Sequence, residues 1–144
     1  MSLDGAYDDD NIFAKIIRGD IPAAKVFEDA HVLAFMDVFP QSRGHVLVIS
    51  KTAKARNLLD VTPESLSRLM ADVQKVAKAM RAALKPDGIV LTQFNGAAAG
   101  QTVFHLHFHL IPRYASAPLK AHGEGGMADP KALAALAQQI AAEL

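Results

Sequence analysis

Between residues 104 and 113 the chain reads Phe104-His105-Leu106-His107-Phe108-His109-Leu110-Ile111-Pro112-Arg113, which places three of its six histidines at i, i+2 and i+4. That is the period of a β-strand, whose successive side chains point to opposite faces. The spacing predicts a strand with His105, His107 and His109 on one face and Phe104, Leu106, Phe108 and Leu110 on the other. The apolar face requires a hydrophobic layer beneath it, and the other presents imidazoles. At a rise of about 3.3 Å per residue, the outer histidines stand roughly 13 Å apart and neighbours roughly 6.6 Å apart. One small ligand can touch all three.

The flanking segments supply the layer. Residues 12–18 form a short helix stopped by Gly19 and Pro22. Residues 25–28 and 32–37 read as strands joined by Asp29-Ala30-His31, a hairpin-length connection. After the turn at 40–44, residues 45–50 are a nearly continuous apolar run and a buried central strand. Thr62 caps a helix with Pro63 at its first position, where a missing N–H does no harm. Its stripe is Leu66, Leu69, Met70, Val73, Val76, Met80 and Leu84, and Pro86-Asp87-Gly88 ends it. Residues 89–94 form another strand, and a Gly/Ala loop from Asn95 to Gly100 makes a hairpin connection into the histidine strand. Residues 115–128 read as a Gly-rich loop, before Asp129-Pro130 opens a last helix with Leu133, Leu136, Ile140 and Leu144 on one face.

Short links between consecutive strands make this an α+β fold with an antiparallel sheet and helices packed on one face. Such a sheet leaves an edge that a second copy of the chain can cover. Residues 1–10 carry four aspartates and little to bury, and are expected to be a flexible leader. Residues 11–144 suit a single domain with one core, with a variable tail and helix from about 115. Fifteen basic against fifteen acidic residues give no electrostatic reason for nucleic-acid or membrane-surface binding. Cysteine is absent, which removes disulfides, thiolate nucleophiles and Cys-ligated zinc. With no apolar run approaching 18 residues and no secretory layout at the N-terminus, a cytoplasmic protein is expected.

The histidines admit three readings. They can be a histidine-rich solvent face, or core imidazoles satisfied by the backbone. They can be a zinc site, with His45 as a further ligand, although no acidic residue lies in the strand or its loop to hold the outer ring N–H groups. Or they can attack phosphorus. An imidazole of ordinary pKa near 6.5 is mostly neutral and nucleophilic at pH 7, and a neighbouring histidine can fix its tautomer or protonate a leaving group. The loop residues Gly100-Gln101-Thr102-Val103 favour this last reading, since successive N–H groups, a hydroxyl and a glycine suit a phosphate.

The stretch Gly100 to Arg113 resembles the signature of the histidine-triad (HIT) nucleotide-binding proteins, His-x-His-x-His followed by an apolar residue. The blocks at 11–22, 35–40 and 44–51 resemble the family's other blocks in their usual order, so the likeness runs from about residue 11 to 114. The resemblance implies a five-stranded HIT-like sheet, a homodimer with a sheet continuous across the interface, and a purine nucleotide (AMP-type) pocket in each subunit. His107 matches the nucleophile that forms a transient nucleotidyl-histidine, and His105, His109 and His45 match its surrounding histidines. Asn95, Gly100, Gln101, Thr102 and Val103 match the phosphate side, with Thr102 where relatives often carry serine. Asp37 and Val38 match the ribose contact and its apolar neighbour, and Phe13 and Ile16 the wall beside the base. On sequence alone Phe13, Ile16 and Val38 read equally as core, Asp37 as a turn cap, Asn95 as a turn residue and His45 as a satisfied core histidine. His31 and His122 are expected to be exposed and are given no role.

One departure from the pattern stands out. Many bacterial relatives place cysteines around the first Ile-Phe, where they help hold a structural zinc; this chain has Asn11 and Ala14 there, so no zinc is expected. The activity implied is metal-independent hydrolysis of nucleotides such as adenosine 5′-phosphoramidates at the α-phosphate, without a cofactor. The alternatives are hydrolysis of dinucleoside polyphosphates in the same pocket, or a nucleotide-binding interaction module whose turnover is incidental.

Overall fold

The structure is a computed structural model that describes residues 2–118 and 126–144. Helix α1 (Ile12–Arg18) opens at Asn11, whose side chain accepts hydrogen bonds from the Phe13 and Ala14 amides, and closes at Gly19. Strands β1 (Lys25–Glu28) and β2 (Val32–Met36) form the expected hairpin. Asp29 holds its turn, with Oδ1 accepting from the His31 and Val32 amides at 2.8 and 2.7 Å. Strand β3 (Val46–Ser50) pairs antiparallel with β2. Helix α2 (Pro63–Leu84) is capped by Thr62 Oγ1, which accepts from the Ser65 amide at 3.2 Å. Strand β4 (Gly88–Thr92), a single 3-10 turn at Ala97–Ala99, strand β5 (His107–Arg113) and helix α3 (Pro130–Ala141) complete the order.

The sheet order is β1-β2-β3-β5-β4, and every neighbouring pair is antiparallel. Alternation then sorts the side chains. Val32, Ala34, Met36, Val46, Val48, Phe108 and Leu110 share one face and pack with Leu69, Val73, Val76 and Met80 of α2 and Leu133, Ala137 and Ile140 of α3. Leu33, Phe35, Leu47 and Ile49 point the other way and pack with Phe13 and Ile16 of α1. Strands β2 and β3 are therefore buried on both sides. Each large aliphatic side chain so enclosed contributes about 1.5–3 kcal/mol.

Helices thus cover both faces, which differs from the expectation of one. The seven residues of α1 carry enough apolar surface to seal only part of the second face. The histidine strand also starts late. Its ladder with β3 begins at His107 opposite Ile49, so His105 precedes the regular strand. Leu106, Phe108 and Leu110 join the core as expected, whereas Phe104 lies under the Arg56 guanidinium, with Cζ 4.7 Å from the ring centroid. In α3 the register buries Ala137, and Leu144 is exposed. The connection from β4 to β5 is longer than a tight hairpin, since the 3-10 turn falls inside it. Of the Gly-rich segment, residues 119–125 lie outside the described residues, and His122 with them.

Candidate functional site

Register decides which histidines meet. On β5, His107 and His109 stand opposite Ile49 and Leu47 of β3, so their rings rise on the face that α1 only partly covers. That face holds a recess of about 260 Å³, walled by Phe13, Ile16, Asp37, Val38, Val103 and the two histidines, with Ile21, Phe35 and Leu47 among its other apolar lining. Beside it lies a more polar recess of about 190 Å³, lined by Gln41, Phe94, Gly100, Thr102, His107 and His109. The two share Thr102, His107 and His109. An apolar slot opens into a small polar chamber, and the histidines stand at the junction.

Hydrogen bonds assign the protons. His107 Nδ1 lies 2.7 Å from the His105 carbonyl oxygen, an acceptor, so Nδ1 carries the proton and donates. The lone pair of His107 is then on Nε2. Phe13 meets the His107 ring edge to face, with centroids 4.9 Å apart and planes at 86°. His45 is fully buried; the Gln41 amide donates to its Nδ1 at 3.1 Å, which puts the His45 proton on Nε2. That nitrogen donates to His109 Nδ1 at 2.9 Å, leaving the His109 proton on Nε2. Asp37 adds a buried carboxylate, Oδ2 lying 3.5 Å from His45 Nε2 while Oδ1 accepts from the Phe39 amide at 2.8 Å.

His105 lies behind this arrangement and lines neither recess. Its Nε2 sits 3.0 Å from the Ser50 carbonyl and therefore donates, and its Nδ1 accepts from the Tyr7 hydroxyl at 2.6 Å. Burial lowers its pKa from 6.5 to about 4, outweighing the upward pull of the Ser50 hydrogen bond, so the ring is neutral at pH 7.

The phosphate-side residues divide in two. Gly100, held at φ +108° where glycine is favoured, and Thr102 line the polar recess, and Val103 lines the apolar one. Gln101 and Asn95 hold the loop together. Gln101 is buried, accepts from the Gly96 amide at 2.8 Å, and donates to the Arg56 and Val103 carbonyls at 2.7 and 3.0 Å. Asn95 Oδ1 accepts from the Leu58 amide and Gln93 Nε2, both at 2.9 Å.

Ligand atoms of Asp37, His45 and His109 lie within 4.8 Å of one another. The two imidazole nitrogens, however, are 2.9 Å apart. Two nitrogens bound tetrahedrally to one zinc at about 2.0–2.1 Å would stand roughly 3.3 Å apart, so the observed spacing is that of a hydrogen bond. At the other position considered for zinc, Asn11 uses its side-chain oxygen to cap α1 and Ala14 offers no ligand. Neither set, as arranged, has the spacing of a tetrahedral zinc site.

Sequence reasoning missed Gln41, whose backbone amide selects the His45 tautomer, and Tyr7, which reaches His105 from the leader. Neither carries a pattern: one acts through its main chain, and the other is 98 residues from its partner.

Both the sequence and the fold have counterparts among known proteins. The HIT domain profile matches residues 18–116. The chain is similar to "Protein hit" of Bacillus subtilis, at 50% identity over 72% of this chain and 70% of that one. It is also similar to an adenosine 5′-monophosphoramidase of Schizosaccharomyces pombe, at 37% identity over 92% of this chain and 97% of that one. Among solved structures, a Hit-like protein of Bartonella henselae, described as involved in cell-cycle regulation, superposes with a TM-score of 0.91 at 48% identity, covering 97% of this chain and all of that one. The chain therefore belongs to the HIT family.

Proposed function

We propose that this protein, a HIT-family nucleotide-binding hydrolase, cleaves the bond between the α-phosphorus and the leaving group of purine nucleotides, adenosine 5′-phosphoramidates above all. The base lies in the apolar recess against Phe13 and Ile16, the ribose reaches Asp37 and Val38, and the phosphate enters the polar recess beside Gly100 and Thr102. His107 Nε2 attacks phosphorus, a P–N bond to the histidine forms as the P–N bond to the leaving amine breaks, and the amine takes up a proton from solvent. Water then attacks phosphorus, the bond to His107 breaks, and nucleoside monophosphate is released. His109 Nε2–H, oriented by the relay from Gln41 through His45, hydrogen-bonds a phosphate oxygen as charge builds.

One observation carries the reading: the His107 Nδ1–H is tied to a backbone carbonyl at 2.7 Å, so the nucleophilic lone pair falls on Nε2 of a residue that lines both recesses. The relationship to the S. pombe monophosphoramidase, at 37% identity, supports the substrate class. The outer edge of β4, unpaired among the described residues and with Leu91 exposed, supports pairing with a second copy of the chain, and gel filtration with light scattering tests that part. For the chemistry, purified wild type and His107→Ala are compared on adenosine 5′-phosphoramidate and a dinucleoside polyphosphate. Wild type is expected to prefer the phosphoramidate and the variant to lose activity by about a thousandfold or more. Equal turnover by the variant defeats the assignment of His107, and preference for the dinucleotide moves the substrate class.

A further inference from the structure

The leader is fastened along its length. Arg56 donates to the Ser2 and Ala6 carbonyls, Asn57 Nδ2 donates to the Leu3 carbonyl at 3.0 Å, and Ser2 Oγ accepts from the Ala97 amide at 2.9 Å. Lys54 pairs with Asp9 at 2.8 Å, and Arg18 reaches the Asp9 carbonyl. Between these ties the half-buried ring of Tyr7 lies edge to face on His105, with centroids 5.6 Å apart and planes at 62°.

The His105 imidazole is held at both nitrogens, by the Tyr7 hydroxyl at 2.6 Å and the Ser50 carbonyl at 3.0 Å. Its own carbonyl accepts from His107 Nδ1. Because His105 precedes the β3–β5 ladder, these side-chain bonds, together with the Leu106 amide on the Ala55 carbonyl at 2.9 Å, fix where that carbonyl sits. We propose that Tyr7 is a positioning residue for the nucleophile: through His105 the leader sets the orientation and tautomer of His107. This rests on His107 as nucleophile, as read above. Burial raises the Tyr7 pKa, which keeps the hydroxyl a donor at neutral pH, and burial likewise keeps His105 neutral to accept it.

Tyr7→Phe in the full chain removes only the hydroxyl. With 15N-labelled histidine, the His105 Nδ1 resonance is expected to move towards that of an unbonded imine nitrogen, and the His107 Nδ1–H signal to broaden through faster exchange. On adenosine 5′-phosphoramidate, kcat should fall about three- to tenfold with KM within twofold, the scale of one lost buried hydrogen bond. A merely structural tyrosine would lower the melting temperature and leave kcat per folded molecule and the His107 signal in place, which overturns the proposal. Histidine signals identical to wild type overturn it whether or not the protein turns over phosphoramidate. Altered signals at both histidines in a wild type that is inert to every nucleotide support the Tyr7–His105–His107 linkage and reject only the substrate reading.

Discussion

The neutral, doubly bonded His105 makes a measurable demand on stability. Its pKa is 6.5 in an unfolded chain and about 4 when folded. Between those values the unfolded chain binds the extra proton and the folded one does not, so stability rises with pH across the window. The contribution is fully present above pH 6.5, is lost as pH falls, and is spent near pH 4. At about 1.4 kcal/mol per pH unit the difference amounts to about 3 kcal/mol. His105→Gln removes the titration while retaining an N–H for the Ser50 carbonyl. Urea unfolding of both proteins at pH 7, 5.5 and 4 should show wild type the more stable at pH 7 and the gap narrowing by about 3 kcal/mol at pH 4. A gap that stays constant across the three pH values refutes the reasoning, because it means that His105 takes up no proton on unfolding that it lacks when folded.

Other consequences are sharp enough to measure. Gly44 has φ +94°, and a Cβ there would fall against Leu84 and Pro112, so Gly44→Ala should cost about 2 kcal/mol or more in chemical denaturation. Thr62→Ala removes the α2 cap and should cost about 1 kcal/mol with kcat unchanged. Phe13→Ala strips a ring packed on both His107 and Phe35; it should lower stability by about 3 kcal/mol and weaken nucleoside monophosphate binding in calorimetry.

Much of this molecule was legible because its signals are local and periodic. The alternation in residues 104–113 located β5 and the face that carries His107 and His109, and Thr62-Pro63 located the start of α2 to the residue. What failed depended on long-range register. Alternation by itself carried the strand three residues too far and set His105 beside its neighbours, whereas pairing with β3 begins only at His107. The leader, rich in aspartate, reads as solvent-loving, yet Arg56 and Asn57 gather its carbonyls through bonds that no composition reveals. The site divides the same way. Phe13, Val38 and Thr102 line the recesses, but the engagement of Gln101 and Asn95 within their own loop is a matter of backbone geometry.

Helix α1 is two turns long, too short to hold its shape alone in water, and it stands only because Asn11 caps it and Phe13 and Ile16 bed into the sheet. The wall of the apolar slot is therefore readier to come undone than its floor, which on β2 and β3 is clamped from both sides. A guest in the slot inherits that asymmetry: it settles on a rigid bed and is covered by a flap whose integrity it helps to complete. Amide hydrogens of α1 would then act as a gauge of occupancy, slowing in exchange when the slot fills, while those of β3 barely register the visitor.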